Sequence, residues 1–143
     1  FFTPHIHKNT DHTLLPARFL TPHQTQASPE AYATVVAGMR LAVTKGTATE
    51  LNRTSYPVCG KTGTAENAGK DHSAFIGFAP MNHPKIAIAV YIEHGGFGAD
   101  MAAPIAGLIM EEYLKGRLSP RSLATAKRLE RMQTLEKRVS STK

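Results

Sequence analysis

Apolar and polar positions first follow a helical spacing along this chain and then a strand spacing. Between residues 29 and 45 the apolar positions recur every three or four residues, with Ser28 suited to cap a helix, Pro29 to start it and Gly46 to end it. These apolar positions are Tyr32, Val35, Val36, Met39 and Val43. Such a stripe predicts a helix that packs against a sheet.

Three extended segments follow the first predicted helix. They are Val58–Glu66, His72–Ala79 and Lys85–Glu93, and the connection between the last two is a tight turn at residues 80–84. Because this connection is too short for a crossover, the second and third strands are expected to be antiparallel. The third strand is almost continuously apolar, a pattern typical of a central strand covered on both faces.

Two further helices complete the pattern. The first is predicted from about Ala99 to Lys115, and Ser119 and Pro120 are suited to open the second. The inner stripe of the first is Ala102, Ile105, Ala106, Ile109 and Tyr113, and the few apolar residues of the second are Leu123, Leu129, Met132 and Leu135. The weak stripe of the last helix indicates partial docking or disorder.

The order of these elements predicts an α+β fold (α/β in the broader sense). Its centre would be an antiparallel sheet of about three strands flanked by helices. The 143 residues are sufficient for one compact domain. We expect residues 1–115 to form that domain and residues 116–143 to form a basic helical tail.

Charge is distributed unevenly along the chain. Residues 1–115 hold nine Lys and Arg and nine Asp and Glu, so the net charge of +6 arises entirely from residues 116–143. A neutral body argues against a nucleic-acid-binding fold, which would carry a basic face. The tail could contact an anionic surface, but a solvated helix is the preferred interpretation.

Cysteine and histidine give little sign of redox or metal chemistry. Cys59 is the single cysteine, which excludes an intramolecular disulfide, and no helix N-terminus clearly activates it as a nucleophile. His5 and His7 would share a strand face, but no third ligand is close in sequence. We therefore expect no metal and no other cofactor. No run of about 18 apolar residues predicts a membrane span.

The strongest candidate for chemistry is the segment from Gly60 to Ala65. Lys61 supplies a cation with three donors, and Thr62 and Thr64 supply short hydroxyls. Gly63 has no Cβ, so a substrate backbone can approach closely. On a strand edge, this set can bind a carboxylate and stabilise an oxyanion.

Two simpler interpretations of this segment have to be considered. A nucleotide-binding P-loop requires a glycine five residues before Gly60, where this chain has Ser55. The P-loop must also open a helix, which the glycines on either side of residues 64–68 disfavour. An ordinary turn after a strand remains possible, because Lys-Thr-Gly alone is a weak signal.

Taken together, four segments resemble the transpeptidase domain of class B penicillin-binding proteins, and most of all its elongation-type members. The segments are Gly60–Ala65, Phe75–Pro80, Pro84–Val90 and Glu93–Gly96, joined by the Asp71-His72 pair. The resemblance runs from about residue 1 to residue 115. It implies that the fold is the C-terminal part of a penicillin-binding or serine β-lactamase-like transpeptidase domain.

The resemblance also implies an activity and a set of roles. Lys61, Thr62, Gly63 and Thr64 would be the catalytic segment, and Lys61, Thr62, Thr64 and Ala65 would bind substrate. The reaction would be D,D-transpeptidation of peptidoglycan stem peptides through an acyl-serine, and β-lactams would acylate the same serine. No nucleic acid or cofactor is implied. The implied location is the periplasmic face of the bacterial inner membrane.

The chain departs from the family pattern in one important respect. It contains no Ser-x-Asn, and its one Ser-x-x-Lys, Ser140 to Lys143, follows Lys-Thr-Gly and lies in a polar tail. We therefore expect the nucleophile, the membrane anchor and further strands in an upstream part of the same protein. The third strand would pair with those strands, and without them its open edge would promote self-association.

Other partners and other functions follow from the same resemblance. The implied partners include the cell-elongation machinery and its glycosyltransferase, which uses lipid-linked precursors. Two alternatives remain open: a penicillin-recognition fold kept for interaction without chemistry, and a fragment of a β-lactamase-like hydrolase.

Overall fold

The computed structural model describes residues 26–53 and 55–140, with side chains as far as residue 132. The predicted strand-like start of the chain, including His5 and His7, lies outside the described residues. The elements in order are helix α1 (Pro29–Thr44), a short 3-10 helix (Thr49–Leu51), strands β1 (Cys59–Ala65), β2 (His72–Ala79) and β3 (Ile86–Ile92), and helices α2 (Ala102–Lys115) and α3 (Pro120–Ser140).

Helix α1 begins as its sequence predicts. The Ser28 hydroxyl accepts a hydrogen bond from the Ala31 amide at 3.2 Å, and Pro29 occupies the first turn. The predicted buried stripe is wrong for Tyr32 and Val35, which are exposed, whereas Val43 is fully buried. The N-terminal half of α1 therefore projects an apolar surface away from the part of the chain that the structure describes.

The sheet is antiparallel throughout, in the order β1-β2-β3, as the sequence predicts. Lys61 on β1 lies opposite Ile76 on β2, and Phe75 on β2 lies between Thr62 and Val90 on the neighbouring strands. Because side chains alternate along a strand, Lys61 and Ile76 share one face of the sheet and Thr62 and Phe75 share the other.

Within the described residues, β3 is covered on one face and not on both faces as predicted. Its residues alternate between half-buried and exposed, and the strand lies at the edge of the described sheet. Ile88 and Val90 pack against the core, whereas Tyr91 is exposed on the opposite face. A continuous apolar run cannot distinguish these two faces, because the period of two is visible only when polar residues mark the exposed positions.

Helix α2 covers the face of the sheet that carries Thr62 and Phe75, which we call the inner face. The opposite face, which carries Lys61 and Ile76, is the outer face. Helix α2 begins at Ala102 instead of Ala99, and its predicted inner stripe is wrong at Ile109 and Tyr113, which are exposed. The side that is buried contains mostly small residues, namely Ala102, Ala103, Pro104, Ala106, Gly107, Met110 and Glu111. Small side chains allow the helix axis to lie close to the strands.

Helix α3 docks on the domain mainly through polar contacts. The Arg128 guanidinium contacts the Glu50 carboxylate at 3.1 Å, and the Thr125 hydroxyl donates to the same carboxylate at 2.9 Å. Leu129 is buried whereas Leu123 is exposed, and Leu135 lies beyond the described side chains. Of the helices described, none combines the length and apolar character needed to cross a membrane.

Candidate active site

Strand β1 carries the predicted catalytic and substrate-binding residues, Lys61 to Ala65, and it lies at an edge of the described sheet. It pairs only with β2, so its other edge is unpaired within the described residues. Backbone donors and acceptors on such an edge are available to an extended ligand. The Lys61 side chain is exposed, and its ammonium donates to the Thr62 carbonyl at 2.6 Å. This contact holds the cation beside its own strand.

The two predicted hydroxyls lie in different surroundings. Thr62 is 8% exposed, and its hydroxyl lies 2.5 Å from the hydroxyl of Thr47, which belongs to the turn after α1. Thr64, two residues further on the same face, is exposed, as is Ala65 at the end of the strand. The structure therefore places Thr62 and Thr64 on one face of β1 and the Lys61 side chain on the other, with Thr62 already hydrogen-bonded inside the protein.

The backbone of Gly63 is in close contact with the backbone of Gly98, in the loop before α2. A Cβ placed on Gly98 would lie 2.5 Å from the Ala74 carbonyl oxygen and closer still to the Gly63 carbonyl oxygen. The loop backbone therefore rests directly on the paired residues Gly63 and Ala74. Glycine at position 98 is required for this approach.

A second close contact fixes the start of β1. Gly60 and Gly77 are directly opposite each other, and the ring of Phe75 fills the space that their side chains would occupy. A Cβ on Gly77 would lie 2.8 Å from that ring. Phe75 is 1% exposed and belongs to the main core cluster. The hydrophobic core therefore packs directly against the backbone of Gly60, the residue before Lys61.

Ser73 ties β2 to the start of α2. Its hydroxyl donates to the Phe97 carbonyl at 3.0 Å and accepts from the Ala102 amide at 3.0 Å. The residue is completely buried, and these two bonds satisfy it. Since Ser73 pairs with Thr64 across the strands, the same hydrogen bonds help to position the C-terminal end of the segment Gly60–Ala65.

Arg40 and Cys59 show how α1 supports the other end of β1. The Arg40 guanidinium donates to the Val58 carbonyl at 2.9 Å and to the Asn52 side chain at 3.0 Å. Cys59 is fully buried, and that burial raises the pKa of its thiol, although the positive charge of Arg40 acts in the opposite direction. A buried thiol with a raised pKa is a packing residue and not a nucleophile.

The loop after β1 is attached to the turn after β3 through two histidines. The His94 ring nitrogen Nδ1 lies 3.2 Å from the Asn67 amide nitrogen and 3.1 Å from the Lys70 carbonyl oxygen. The backbone amide of His94 donates to Nδ1 of His72 at 3.0 Å. His72 therefore both starts β2 and connects the two loops at this end of the sheet.

Sequence reasoning did not identify Thr47, Arg40, Ser73 or Gly98. None of them lies in the motif, and each acts through a contact that spans at least 15 residues of sequence. For Gly98, the glycine-rich run at residues 95–98 was a usable signal, since it marks a place where backbones approach. Among the described residues, no group of three or more His, Cys, Asp or Glu side chains is arranged to hold a metal ion.

Comparison with known proteins identifies the family of this chain. The family model described as the penicillin binding protein transpeptidase domain matches residues 2–111, which is most of the chain. The chain therefore belongs to this family. The predicted resemblance to penicillin-binding transpeptidase domains is thereby confirmed.

Solved structures and curated relatives make the likeness more specific. The crystal structure of Pseudomonas aeruginosa PBP2 in complex with WCK 5153 is 36% identical, with a TM-score of 0.60, over 69% of this chain and 23% of that chain. Penicillin-binding protein A from M. tuberculosis, as its imipenem acyl-enzyme, is 34% identical, with a TM-score of 0.55, over 62% of this chain and 20% of that chain.

Among curated proteins, the peptidoglycan D,D-transpeptidase MrdA of Haemophilus influenzae is 36% identical over 80 residues, or 45% of this chain. The probable peptidoglycan D,D-transpeptidase PenA of Neisseria meningitidis is 34% identical over 111 residues, or 66% of this chain. The matches cover 12% and 19% of these two proteins. The chain thus spans a small part of the length of its relatives.

Proposed function

We propose that this chain supplies the Lys-Thr-Gly wall of a peptidoglycan D,D-transpeptidase that also binds β-lactams. The observation that carries the proposal is the edge of β1 that has no strand partner within the described residues, where the Lys61 ammonium lies 2.6 Å from the Thr62 carbonyl and Thr64 is exposed beside it. The relatives named as D,D-transpeptidases, and the imipenem acyl-enzyme of one structural neighbour, support it.

The reaction would be acyl transfer through a serine outside the described residues. The serine oxygen attacks the carbonyl carbon between two D-alanines, the C–N bond breaks, and the serine proton leaves with the amino group of the terminal D-alanine. An amine of a neighbouring stem peptide then attacks the ester, forms the cross-link and returns the proton to the serine.

Each residue of the segment would have a separate role in that cleft. Lys61 would attract the substrate carboxylate and the hydroxyls around the serine. Thr62 and Thr64 would donate hydrogen bonds to the same carboxylate, and Gly63 and Ala65 would allow an extended peptide to lie along the strand. The amide of Thr64 would be one of two oxyanion donors, a role typically worth about 10²–10³ in rate.

The wider setting of this activity is part of the same proposal. The protein would work at the periplasmic face of the inner membrane, with the cell-elongation machinery and its glycosyltransferase. Residues 1–115 would belong to the transpeptidase domain, and α3, within residues 116–143, would be an appendage docked through Glu50 and Arg128. The apolar edge formed by β3 would pair with strands from an upstream part of the protein.

A fluorescent penicillin provides the test. We expect it to label the complete polypeptide that carries residues 1–143 and to stay attached after denaturation, whereas the isolated 143 residues should not be labelled. An interaction module without chemistry would leave the complete polypeptide unlabelled, and a β-lactamase-like hydrolase would release the label quickly. Covalent labelling of the isolated chain would also contradict the proposal.

A further inference from the structure

The hydroxyl groups of Thr47 and Thr62 form the shortest side-chain contact at the candidate site. Their oxygen atoms lie 2.5 Å apart, and either one can be the donor. Thr62 is almost buried, whereas Thr47 is exposed at the surface turn. Fifteen residues of sequence separate them, so the contact depends on the way the turn after α1 is folded against β1.

That turn holds Thr47 in place from both sides. On one side, a Cβ on Gly46 would lie 2.8 Å from the Cα of Ala42, so the turn lies directly against the last turn of α1. On the other side, Ala48 is 1% exposed and its amide donates to the Ala42 carbonyl at 3.1 Å. A residue between two such anchors has little freedom, and its hydroxyl is therefore preorganised.

The direction of the hydrogen bond determines what Thr62 can bind. Two hydroxyls share two protons, and one proton is used within the pair. If Thr62 donates to Thr47, it has no proton left for an anion. If Thr47 donates to Thr62, the Thr62 proton is free to point at a carboxylate, and the chain of two hydrogen bonds is strengthened by polarisation.

We propose that Thr47 is a positioning residue for carboxylate recognition, which donates to the Thr62 hydroxyl so that Thr62 donates to the carboxylate of the substrate or β-lactam. The inference rests on the proposed function, because it assumes that Thr62 contacts that carboxylate. It assigns to a residue outside the motif a role that depends on the charge of the ligand. A purely structural Thr47 would affect charged and uncharged ligands equally.

The test compares variants of the complete polypeptide with two ligands. Thr47→Val keeps the shape and removes the hydroxyl, Thr47→Ser keeps the hydroxyl, and Thr49→Val is the matched control. Thr49 is also exposed, and it lies two residues further along the chain. The ligands are penicillin G and its methyl ester, in which the carboxylate is no longer an anion.

We expect Thr47→Val to weaken the binding step for penicillin G by about five- to tenfold, the effect of one lost hydrogen bond. The rate of the acylation step should change by less than about twofold, and binding of the methyl ester should be nearly unaffected. Thr47→Ser and Thr49→Val should behave as wild type. Melting temperatures of all variants would be measured in parallel.

Each result separates the inference from the proposed function. Equal losses for penicillin G and its ester, or no loss for either, would overturn the role of Thr47 while leaving the transpeptidase proposal intact. A wild-type polypeptide that is not acylated at all would overturn both. If Thr47→Val were too unstable to assay, Thr47→Ala against Thr47→Ser would be compared with the same two ligands and the same criteria.

Discussion

The two faces of the sheet differ in how completely they are packed. On the inner face, Phe75 is 1% exposed, Ser73 is fully buried, and α2 lies close over both. On the outer face, Ile76 is 57% exposed and Tyr91 is 59% exposed. Ile76 directly follows the buried Phe75 on β2, and Tyr91 lies on the adjacent strand β3. Cys59, buried beside α1, is the exception at the start of β1.

This difference indicates that the central part of the Lys-Thr-Gly strand is held mainly from the inner face, whereas α1 supports its start. The glycine pair beneath Phe75, the bare backbone of Gly98 and the bonds of Ser73 all act from the inner face. The outer face carries the Lys61 side chain and open apolar surface. Stability and site geometry should therefore respond strongly to changes on the inner face and weakly to similar changes on the outer one.

The largest expected effect compares Phe75→Ala with Ile76→Ala. Removing the buried ring leaves a cavity beneath Gly60 and Gly77, and we expect a loss of about 3–5 kcal/mol in the free energy of unfolding. The adjacent Ile76 is largely exposed, so its truncation should cost less than about 1 kcal/mol. Urea denaturation of the purified chain measures both. Equal losses would show that the two faces contribute alike.

A second comparison uses glycines instead of large side chains. Gly98→Ala places a methyl group against the Gly63 and Ala74 carbonyls, and we expect it to cost about 1–3 kcal/mol and to displace the strand. Gly38→Ala, in α1, has no atom within 4 Å of the new Cβ and should stabilise the chain by roughly 0.5–1 kcal/mol. Thermal denaturation should show a lower melting temperature for Gly98→Ala and a higher melting temperature for Gly38→Ala than for wild type. A neutral Gly98→Ala would argue against the close contact.

The smallest expected effect concerns Glu111, where α2 meets α3. Burial raises the pKa of this carboxyl, but hydrogen bonds with Ser122 and Ser119 and the charge of Arg53 outweigh burial and leave the pKa lowered. A lowered folded-state pKa means that the carboxylate stabilises the fold above its unfolded pKa, near about 4.3. This contribution is lost as the pH falls through the lower, folded-state value.

Glu111→Gln should therefore cost roughly 1 kcal/mol at pH 7 and make less difference in acid, below about pH 4. Glu112→Gln is the control, because Glu112 is exposed on the same turn of α2. Urea midpoints measured across this pH range would show the convergence of wild type and Glu111→Gln. A difference that stays constant down to acidic pH would contradict the ionised role of Glu111.

Much of the fold could be predicted because local signals agreed with one another. The boundaries of β2 coincide with the predicted His72–Ala79, and the extended segment Val58–Glu66 contains β1. Ser28 and Pro29 define the start of α1 by chemistry that acts within one turn. Such features need no knowledge of the rest of the chain.

The remaining features depend on tertiary contacts. The apolar run of β3 does not reveal which of its faces is covered. More than half of the buried residues of α2 are Ala or Gly, and the hydropathy of such small residues does not indicate whether a position is buried or exposed. Thr47 is an ordinary turn residue in the sequence, and only the fold brings its hydroxyl to Thr62. The motif itself was recognisable because Gly60–Ala65 occurs together with three other segments that resemble the same family.

Acylation of the complete polypeptide by a fluorescent penicillin, compared between wild type and Lys61→Ala, tests most directly whether the edge of β1 forms the anion-binding wall. Removing an ammonium that attracts the ligand carboxylate should lower the second-order acylation rate by roughly a hundredfold. Lys85→Ala, which removes an exposed lysine from the turn before β3, should acylate as fast as wild type. Equal acylation rates for wild type and Lys61→Ala would contradict the role of this strand.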